Sequence, residues 1–462
     1  MEEIILLNII EYSLRSKILK YYIASYKNIW KISYPIILGL LAQNLINVID
    51  TAFLGRVGEV ELGASAIAGL FYFSLFTLGF GFGIGTQILI GRRNGERNYK
   101  DIGILVDHGF YFLIILGISI FFLIEFLSPV FLKQFIKSDA IYKASIIYLD
   151  YRMWGIVFAF INVIFRAFYV GIVKTKVLTY SAVIMAIMNI SLDYLLIFGN
   201  YGFPEMGIGG AAIASVIAEG TSVLFFIVYT LVRIDIKKYR LFIFPKLNVR
   251  IIIKTLEISV FIMLQYFISM AGWFAFFMII EKSGERPLAI SNIIRSVYLI
   301  LMIPIWGFSS ATNTLVSNTI GKGLVHKVIP VIKKVINLSF LSTFLVIILT
   351  VTFPRLLISI YTTNIELINE TIPVLYVITG ALVLFSISVI LFNGVSGTAN
   401  TNIALLIEFI TIVIYMTYTY LIAVIFKQSI EVIWCAEYVY FILLGGMSYL
   451  YLKNGNWSKK VV

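Results

Sequence analysis

Asp50 and Asp193 are carboxylates inside apolar stretches. Asp50 ends the run Gln43-Asn44-Leu45-Ile46-Asn47-Val48-Ile49-Asp50, and Asp193 ends Met188-Asn189-Ile190-Ser191-Leu192-Asp193. A charged side chain at mid-bilayer costs about 2.5–3.5 kcal/mol on insertion scales, so it usually faces an interior cavity and serves a function. Gln43, Asn47 and Asp50 recur at i, i+4, i+7, and Asn189 and Asp193 at i, i+4, so each set lines one helical face. Two carboxylates brought together in low dielectric compete for a proton or share a cation. Such a pair either takes protons or binds Na⁺ with Asn and hydroxyl oxygens as neutral ligands. Both are reversible loading devices of the kind a coupled carrier needs.

Something must hold these acids inside a bilayer. The chain has 462 residues, 60% hydrophobic and 13% charged, with a mean hydropathy of +0.97. That excludes a soluble globular protein and demands many spanning helices of about 20 residues each. Apolar runs broken by charge or by Gly, Pro and Asn clusters predict twelve spans, at about 33–55, 62–90, 103–129, 145–170, 177–199, 209–232, 253–280, 288–317, 335–360, 371–396, 402–426 and 430–452. The formal net charge of +12 does not signal nucleic-acid binding. Loops Arg92–Lys100, Lys174–Lys176, Arg233–Lys254 and Lys322–Lys334, the N-terminal segment and the tail with Lys459 and Lys460 hold about 25 Lys and Arg, against about 8 on the other side. Both termini are therefore expected in the cytoplasm, in a multi-pass protein of the inner (cytoplasmic) membrane.

One cysteine, Cys435, and two histidines, His108 and His326, give no disulfide framework and no His/Cys metal cluster. No cleavable signal peptide is evident. Residues 1–30 mix apolar residues with Arg15, Lys17, Lys20 and Lys27, the pattern of an amphipathic helix at the cytoplasmic interface.

The chain repeats itself at an offset of about 226 residues. Ile32-Ser33 matches Ile258-Ser259, Gly58-Glu59 matches Gly284-Glu285, and Ser65 matches Ser291. Gly81-Phe82 matches Gly307-Phe308, Thr86 matches Thr312, Gly95 matches Gly321, Gly171 matches Gly397, and Thr175 matches Thr401. Six spans per half preserve orientation, so the halves are parallel repeats about an axis normal to the membrane. The expected fold is all-α, two six-helix bundles around a central cleft: an N-lobe over 31–232, a cytoplasmic linker over 233–252, a C-lobe over 253–452 and a tail over 453–462. Asp50 aligns with Phe276 and Asp193 with Thr419, so ion chemistry is expected in the N-lobe alone.

Depths agree with a shared site. At 1.5 Å per residue Asp50 lies about 25 Å along the first span from Ser33, and Asp193 about 24 Å along the fifth from Val177. Ser215 lies about 9 Å into the sixth span, which enters from outside. All fall in the outer half of the bilayer.

Pro35, Gln43, Val48-Ile49-Asp50-Thr51 and Gly55-Arg56-Val57-Gly58 open a series of motifs. It continues through Gly91 to Gly95, Phe165-Arg166-Ala167-Phe168 with Gly171 and Thr175, and Asn189 to Asp193. Gly209-Gly210-Ala211-Ala212-Ile213-Ala214-Ser215 and Pro304-Ile305-Trp306-Gly307 complete it. In order and spacing, from about 30 to 455, the chain resembles the MATE (multidrug and toxic compound extrusion) transporters of the multidrug/oligosaccharidyl-lipid/polysaccharide exporter superfamily. The resemblance implies an N-lobe cation site at Asp50, Asn189 and Asp193, with Ser215 where relatives more often carry Thr. It implies a cavity lined by Asn162 in the fourth span. Another branch carries a seventh-span Glu and a tenth-span Asp. Here Gln265 stands at the former position and Phe385–Phe392 holds no acid, so the chain resembles the DinF-like branch more.

The remaining polar positions have plainer readings. Arg166 and Arg295 are expected to pair structurally or snorkel to the cytoplasmic rim. Glu257 lies near a cytoplasmic helix start, where a dipole contact accounts for it. Glu219, Glu408 and Glu437 each face either packing or the cleft. The 28 Tyr and 37 Phe are ordinary lipid-facing or interface residues, or a cage for organic cations. Gly81, Gly83 and Gly85 precede no Lys-Ser/Thr, so close helix packing explains them better than phosphate binding.

The function expected is secondary antiport. Amphipathic organic cations would leave in exchange for H⁺ or Na⁺ by alternating access, with Gln43, Asn47, Asn162 and Gln265 lining the substrate cavity. No cofactor, no bound metal beyond a coupling Na⁺ and no nucleic acid are expected, and the protein is expected as a monomer in the bilayer. A lipid-linked saccharide flippase of the same superfamily is the rival, although its anionic cargo favours a basic cavity. An enzyme is not expected, since no His lies with an acid at ligand spacing in a span.

Overall fold

The computed structural model describes residues 25–459. Residues 1–24 of the expected amphipathic segment lie outside the described residues, as do 460–462 of the tail. Residues 26–30 are the first turns of α1. Helix α1 (Tyr26–Val57), α2 (Glu59–Gly95), α3 (Tyr99–Phe135), α4 (Asp139–Arg152), α5 (Gly155–Gly171), α6 (Lys176–Leu196) and α7 (Gly207–Arg233) make the first lobe. The second holds α8 (Val249–Glu281), α9 (Glu285–Gly321), α10 (Val328–Thr352), α11 (Ile365–Gly397), α12 (Thr401–Tyr420) and α13 (Ala436–Asn454). Among the described residues eleven helices are long and apolar enough to cross a membrane, and α4 with α5 makes a twelfth path bent by 53°. Helices suit this environment because every backbone polar group bonds within its own segment. Their starts use local caps: Ser25, Ser138 and Asn364 each accept a backbone N–H through the side chain.

The repeat is visible in the geometry. Helix α9 spans Glu285–Gly321 and α2 spans Glu59–Gly95, so both ends are displaced by 226 positions (285 minus 59, 321 minus 95). The left-handed residues that end helices also recur in pairs at that offset: Arg97 at φ 61 with Gly323 at φ 73, and Val173 at φ 65 with Ala399 at φ 72.

The fourth span departs from the single helix expected over 145–170. Its repeat partner α11 runs unbroken from Ile365 to Gly397, whereas the fourth span breaks between Arg152 and Gly155. The ninth span ends early, because Phe353 interrupts it and Pro354 starts the short helix Pro354–Ser359.

The lobes meet toward the end of the bundle where the described chain begins and ends. A Cβ on Gly81 would meet the Met263 backbone, one on Gly83 would strike Val163, and one on Gly85 would strike Ser259. These glycines therefore permit close helix approach, between lobes at Gly81 and Gly85 and within the N-lobe at Gly83. Gln87 donates to the Ser310 carbonyl at 3.1 Å and to Thr314 Oγ1 at 3.0 Å. Asn94 bonds Asn318 at 2.7 Å, and Asn318 Nδ2 donates to the Gly171 carbonyl at 3.1 Å. Beyond Phe80 and Tyr266, whose rings meet at 5.3 Å, no hydrogen bond joins the lobes among the described residues, and Ile67, Leu70 and Phe73 of α2 are exposed. The lobes part toward the opposite end.

The segment between the lobes is docked. Asp107 of α3 accepts the backbone N–H groups of Phe242, Ile243 and Phe244 at 3.0–3.1 Å. Next to it, His108 Nε2 accepts from the Asn248 N–H at 3.0 Å.

Candidate functional site

Three helices bring the predicted residues together. Asp50 lies on α1, Asn189 and Asp193 on α6, and Ser215 on α7. The pairing of α1 with α6 is secured lower down by hydroxyls at the start of α6 that bond α1 carbonyls: Thr175, its N-cap, donates to Ile32 O at 2.9 Å and Thr179 to Pro35 O at 2.9 Å. Pro35 removes the donor of the Lys31 carbonyl, whereas the Ile32 and Pro35 carbonyls take the threonine hydroxyls on a second lone pair.

Four turns further along α1, the Asp50 and Asp193 carboxyls meet side chain to side chain. Asp193 and Asn189 are fully buried, and Asp50 is half-buried. Apart from each other, both Asp193 oxygens and Asp50 Oδ1 find no donor among the described residues. Asn189 donates through Nδ2 to Ser215 Oγ at 3.4 Å, which leaves its buried Oδ1 without a donor as well. Orphaned acceptors in a buried site call for a proton or a cation. The donor set of two carboxylates, an amide oxygen and a hydroxyl suits H⁺ or Na⁺. Among the described residues no group of three His, Cys, Asp or Glu side chains converges as a metal cluster.

Asn162 and Glu219 belong to an adjoining network. Asn162 Nδ2 donates to the Glu219 carbonyl at 3.0 Å, its Oδ1 accepts from Ser222 Oγ at 2.8 Å, and Ser222 meets Ser181 at 2.7 Å. The Asn162 amide is thus engaged on both sides. Gln43 and Asn47 are exposed and Gln265 is half-buried. Their side-chain amides make no hydrogen bond among the described residues, which leaves them free to meet a ligand. Arg166 stacks 5.0 Å over the Phe80 ring and donates to Ser310 at 3.4 Å across the lobe interface. Arg295 stacks 5.0 Å over Phe277.

Sequence reasoning overlooked Arg152, the buried base at the end of α4. It donates from Nη1 to Glu219 Oε2 at 2.9 Å and from Nη2 to Glu219 Oε1 at 2.5 Å, and lies 4.1 Å over the Tyr72 ring. A charge inside the apolar run from 145 to 170 was the available signal.

The C-lobe carries different chemistry at the aligned positions. Phe276 and Tyr415, which align with Asp50 and Asn189, stack at 5.6 Å, and Phe276 packs edge-on against Trp434 at 5.0 Å. Thr419, which aligns with Asp193, donates to the Tyr415 carbonyl of its own helix at 2.8 Å. Two other acids are buried there. Glu437 accepts from Tyr298 and Tyr415, each at 3.1 Å, and Glu408 accepts from Ser269 at 2.5 Å and Tyr440 at 2.7 Å. Comparison of the repeats could not reveal them, because they align with Ala182 and Ala211.

Comparison with known proteins identifies the family and the fold. The MatE family model matches residues 35–195 and again 261–421, so its two matches are themselves offset by 226 positions. The chain is 26% identical over 442 residues to the probable multidrug resistance protein NorM of Thermotoga maritima, covering 94% of each chain. It is 27% identical over 294 residues to a protein of the same name from Agrobacterium fabrum, and that match spans 62% of the relative's own length. Among solved structures, one described as the outward-facing conformation of a multidrug resistance MATE family transporter of the MOP superfamily aligns with a TM-score of 0.86 at 18% identity, over 93% of this chain and 95% of that one. A MOP superfamily transporter from Pyrococcus furiosus aligns at 0.85 and 18%, over 94% and 97%. These structural likenesses speak to the fold.

Proposed function

The chain belongs to the MatE family, and we propose that it is a secondary antiporter that exports amphipathic organic cations in exchange for H⁺ or Na⁺. The observation that carries this reading is the Asp50–Asp193 pair, in which both Asp193 oxygens and Asp50 Oδ1 are buried without a donor apart from each other. Loading one proton or one Na⁺ neutralises one of two negative charges. Unloading restores an anionic site that attracts a cationic substrate. Loading and substrate binding then compete, as exchange requires.

The distribution of Lys and Arg supports placing both termini in the cytoplasm. The half where the lobes meet is then cytoplasmic, and the space between them opens outward, which favours ion entry and substrate release. One proton in for one monovalent cation out moves no net charge. A two-for-one exchange would gain about 2.3 kcal/mol per 100 mV.

The test is efflux of ethidium from proteoliposomes under an imposed pH gradient and, separately, under a Na⁺ gradient. Efflux driven by one gradient and lost when it collapses supports antiport. Gradient-independent flipping of a lipid-linked pyrophosphoryl saccharide, without ethidium movement, would replace this reading with a flippase.

A further inference from the structure

The fourth span breaks only in the N-lobe, and a buried ion pair stands at the break. Arg152 is the last residue of α4 and Gly155 the first of α5, with the two helices bent by 53°. In the C-lobe the aligned residues are Ile378 and Ala381, inside the unbroken α11, and the residue aligned with Glu219 is Gly445. A Cβ on Gly155 would collide with Arg152 Nη1 and with Glu219 Oε2. Break, glycine and ion pair therefore form one construction, which the lobe without the Asp pair lacks.

The surroundings of Arg152 link this construction to the acid site. To the Glu219 carboxylate of α7 it donates from both Nη nitrogens. From α2 comes the Tyr72 ring, and Tyr148 of its own helix bonds it as well. On the α1 side, Phe53 and Leu54 share one apolar cluster with Ala144 and Tyr148 of α4, Asp50 one turn away acts on Arg152 electrostatically, and Asp50 is joined to Asp193 of α6. Glu125 of α3 acts instead on Asp150, which points to a different side of α4. Arg152 thus has a buried carboxylate partner in Glu219 and a second acidic site, of variable charge, at Asp50.

We propose that Arg152 and Glu219 form a clamp that reports ion loading to the bend in the fourth span. With the Asp pair loaded, Glu219 holds Arg152 and fixes the angle between α4 and α5. With the pair unloaded, the additional negative charge draws Arg152 toward Asp50, the bidentate contact loosens, and α4 swings about Met153–Gly155. Arg152 and Glu219 are positioning residues here: they transmit the state of the site without carrying the coupling ion. The proposal rests on the ion-coupled reading of Asp50 and Asp193.

Nitroxide labels at Lys143→Cys on α4 and Phe158→Cys on α5, in a Cys435→Ser background, report the bend by pulsed electron paramagnetic resonance in nanodiscs. Both label positions are exposed. Distances are compared with the coupling ion present and absent. The parent should shift between two distributions. Glu219→Gln should show the unloaded distribution under both conditions, and Asp50→Asn a single one that does not respond to the ion. Removing one partner of a buried pair strands a charge, so the doubly neutral Arg152→Gln/Glu219→Gln variant is measured too and should likewise not respond. A parental response in Glu219→Gln or in the double variant overturns the clamp. So does an unchanging distance in a parent whose ethidium efflux is ion-driven. If Asp50→Asn and Asp193→Asn instead export ethidium with parental ion dependence, the coupling reading itself fails, and the clamp with it.

Discussion

Phe276 stacks on Tyr415 at 5.6 Å in the C-lobe, at the positions where the repeat sets Asp50 and Asn189 in the N-lobe. One helix pair thus carries two carboxyls and an amide in one half and an aromatic stack in the other. Parallel repeats give a carrier two rigid bodies of similar shape. At this place the N-lobe presents buried acceptors without donors, and the C-lobe fills the aligned positions with packed rings.

Asp50→Asn and Asp193→Asn are each expected to abolish ion-driven efflux while leaving insertion and folding intact. The amide keeps the shape of the carboxyl and removes the insertion penalty of a charge, but it neither exchanges a proton nor neutralises Na⁺. Ethidium efflux from proteoliposomes checks it, with size-exclusion profiles as the folding control. If both single variants match the parent, the N-lobe site is misplaced.

Asn189→Leu and Ser215→Ala should weaken ion loading less than loss of either acid, because they remove neutral oxygens and leave the charge. The two should also differ. Asn189 is fully buried and presents an unbonded Oδ1, whereas Ser215 Oγ touches the site through a 3.4 Å contact from Asn189. The concentration of H⁺ or Na⁺ giving half-maximal efflux should rise more for Asn189→Leu. An unaltered ion dependence in Ser215→Ala would remove that hydroxyl from the site.

Much of this arrangement was legible in the chain, for identifiable reasons. Polar residues at i, i+4 and i+7 in apolar runs have few uses, so Asp50, Asn189 and Asp193 stood out and now meet across α1 and α6. The repeat was legible because its register holds without a gap, and Arg97 and Gly323 end their helices alike. The break at Arg152–Gly155 was hidden because Arg152 and Glu219 are 67 residues apart in sequence, and only the folded chain shows that a glycine between them makes room for their contact. Glu408 and Glu437 were visible as intramembrane acids. Their tyrosine partners Tyr440, Tyr298 and Tyr415 come from other turns and helices at no fixed spacing.

Asp107→Ala should release the segment between the lobes. One carboxylate satisfies three consecutive backbone N–H groups there, and hydrogen bonds to a charged group contribute about 1.5–3 kcal/mol each when both partners are present. The sum is discounted because the freed amides at this end of the bundle regain water. A destabilisation of roughly 2–4 kcal/mol is expected, with faster proteolysis between Arg240 and Asn248. Thermal unfolding in detergent and limited proteolysis check it. Parental protection of that segment would mean that packing of Phe242 and Phe244, and not Asp107, holds it down.

Gln265→Ala should change which compounds are exported without changing the ion dependence. Gln265 is half-buried on α8, one turn before Ser269, and its side-chain amide makes no hydrogen bond among the described residues. A free amide meets a ligand through donor and acceptor alike, yet it cannot alter its charge with pH or bind a cation strongly without a carboxylate beside it. Its carbonyl accepts from Ser269 Oγ at 2.9 Å, and that serine also bonds Glu408, so the side chain can be removed without stripping Glu408 of its donor. Relative efflux of several organic cations should therefore shift in Gln265→Ala, while the pH or Na⁺ concentration at half-maximal rate stays with the parent. A large change in that dependence would tie Glu408 and the C-lobe to coupling, and ion loading could no longer be assigned to the N-lobe alone.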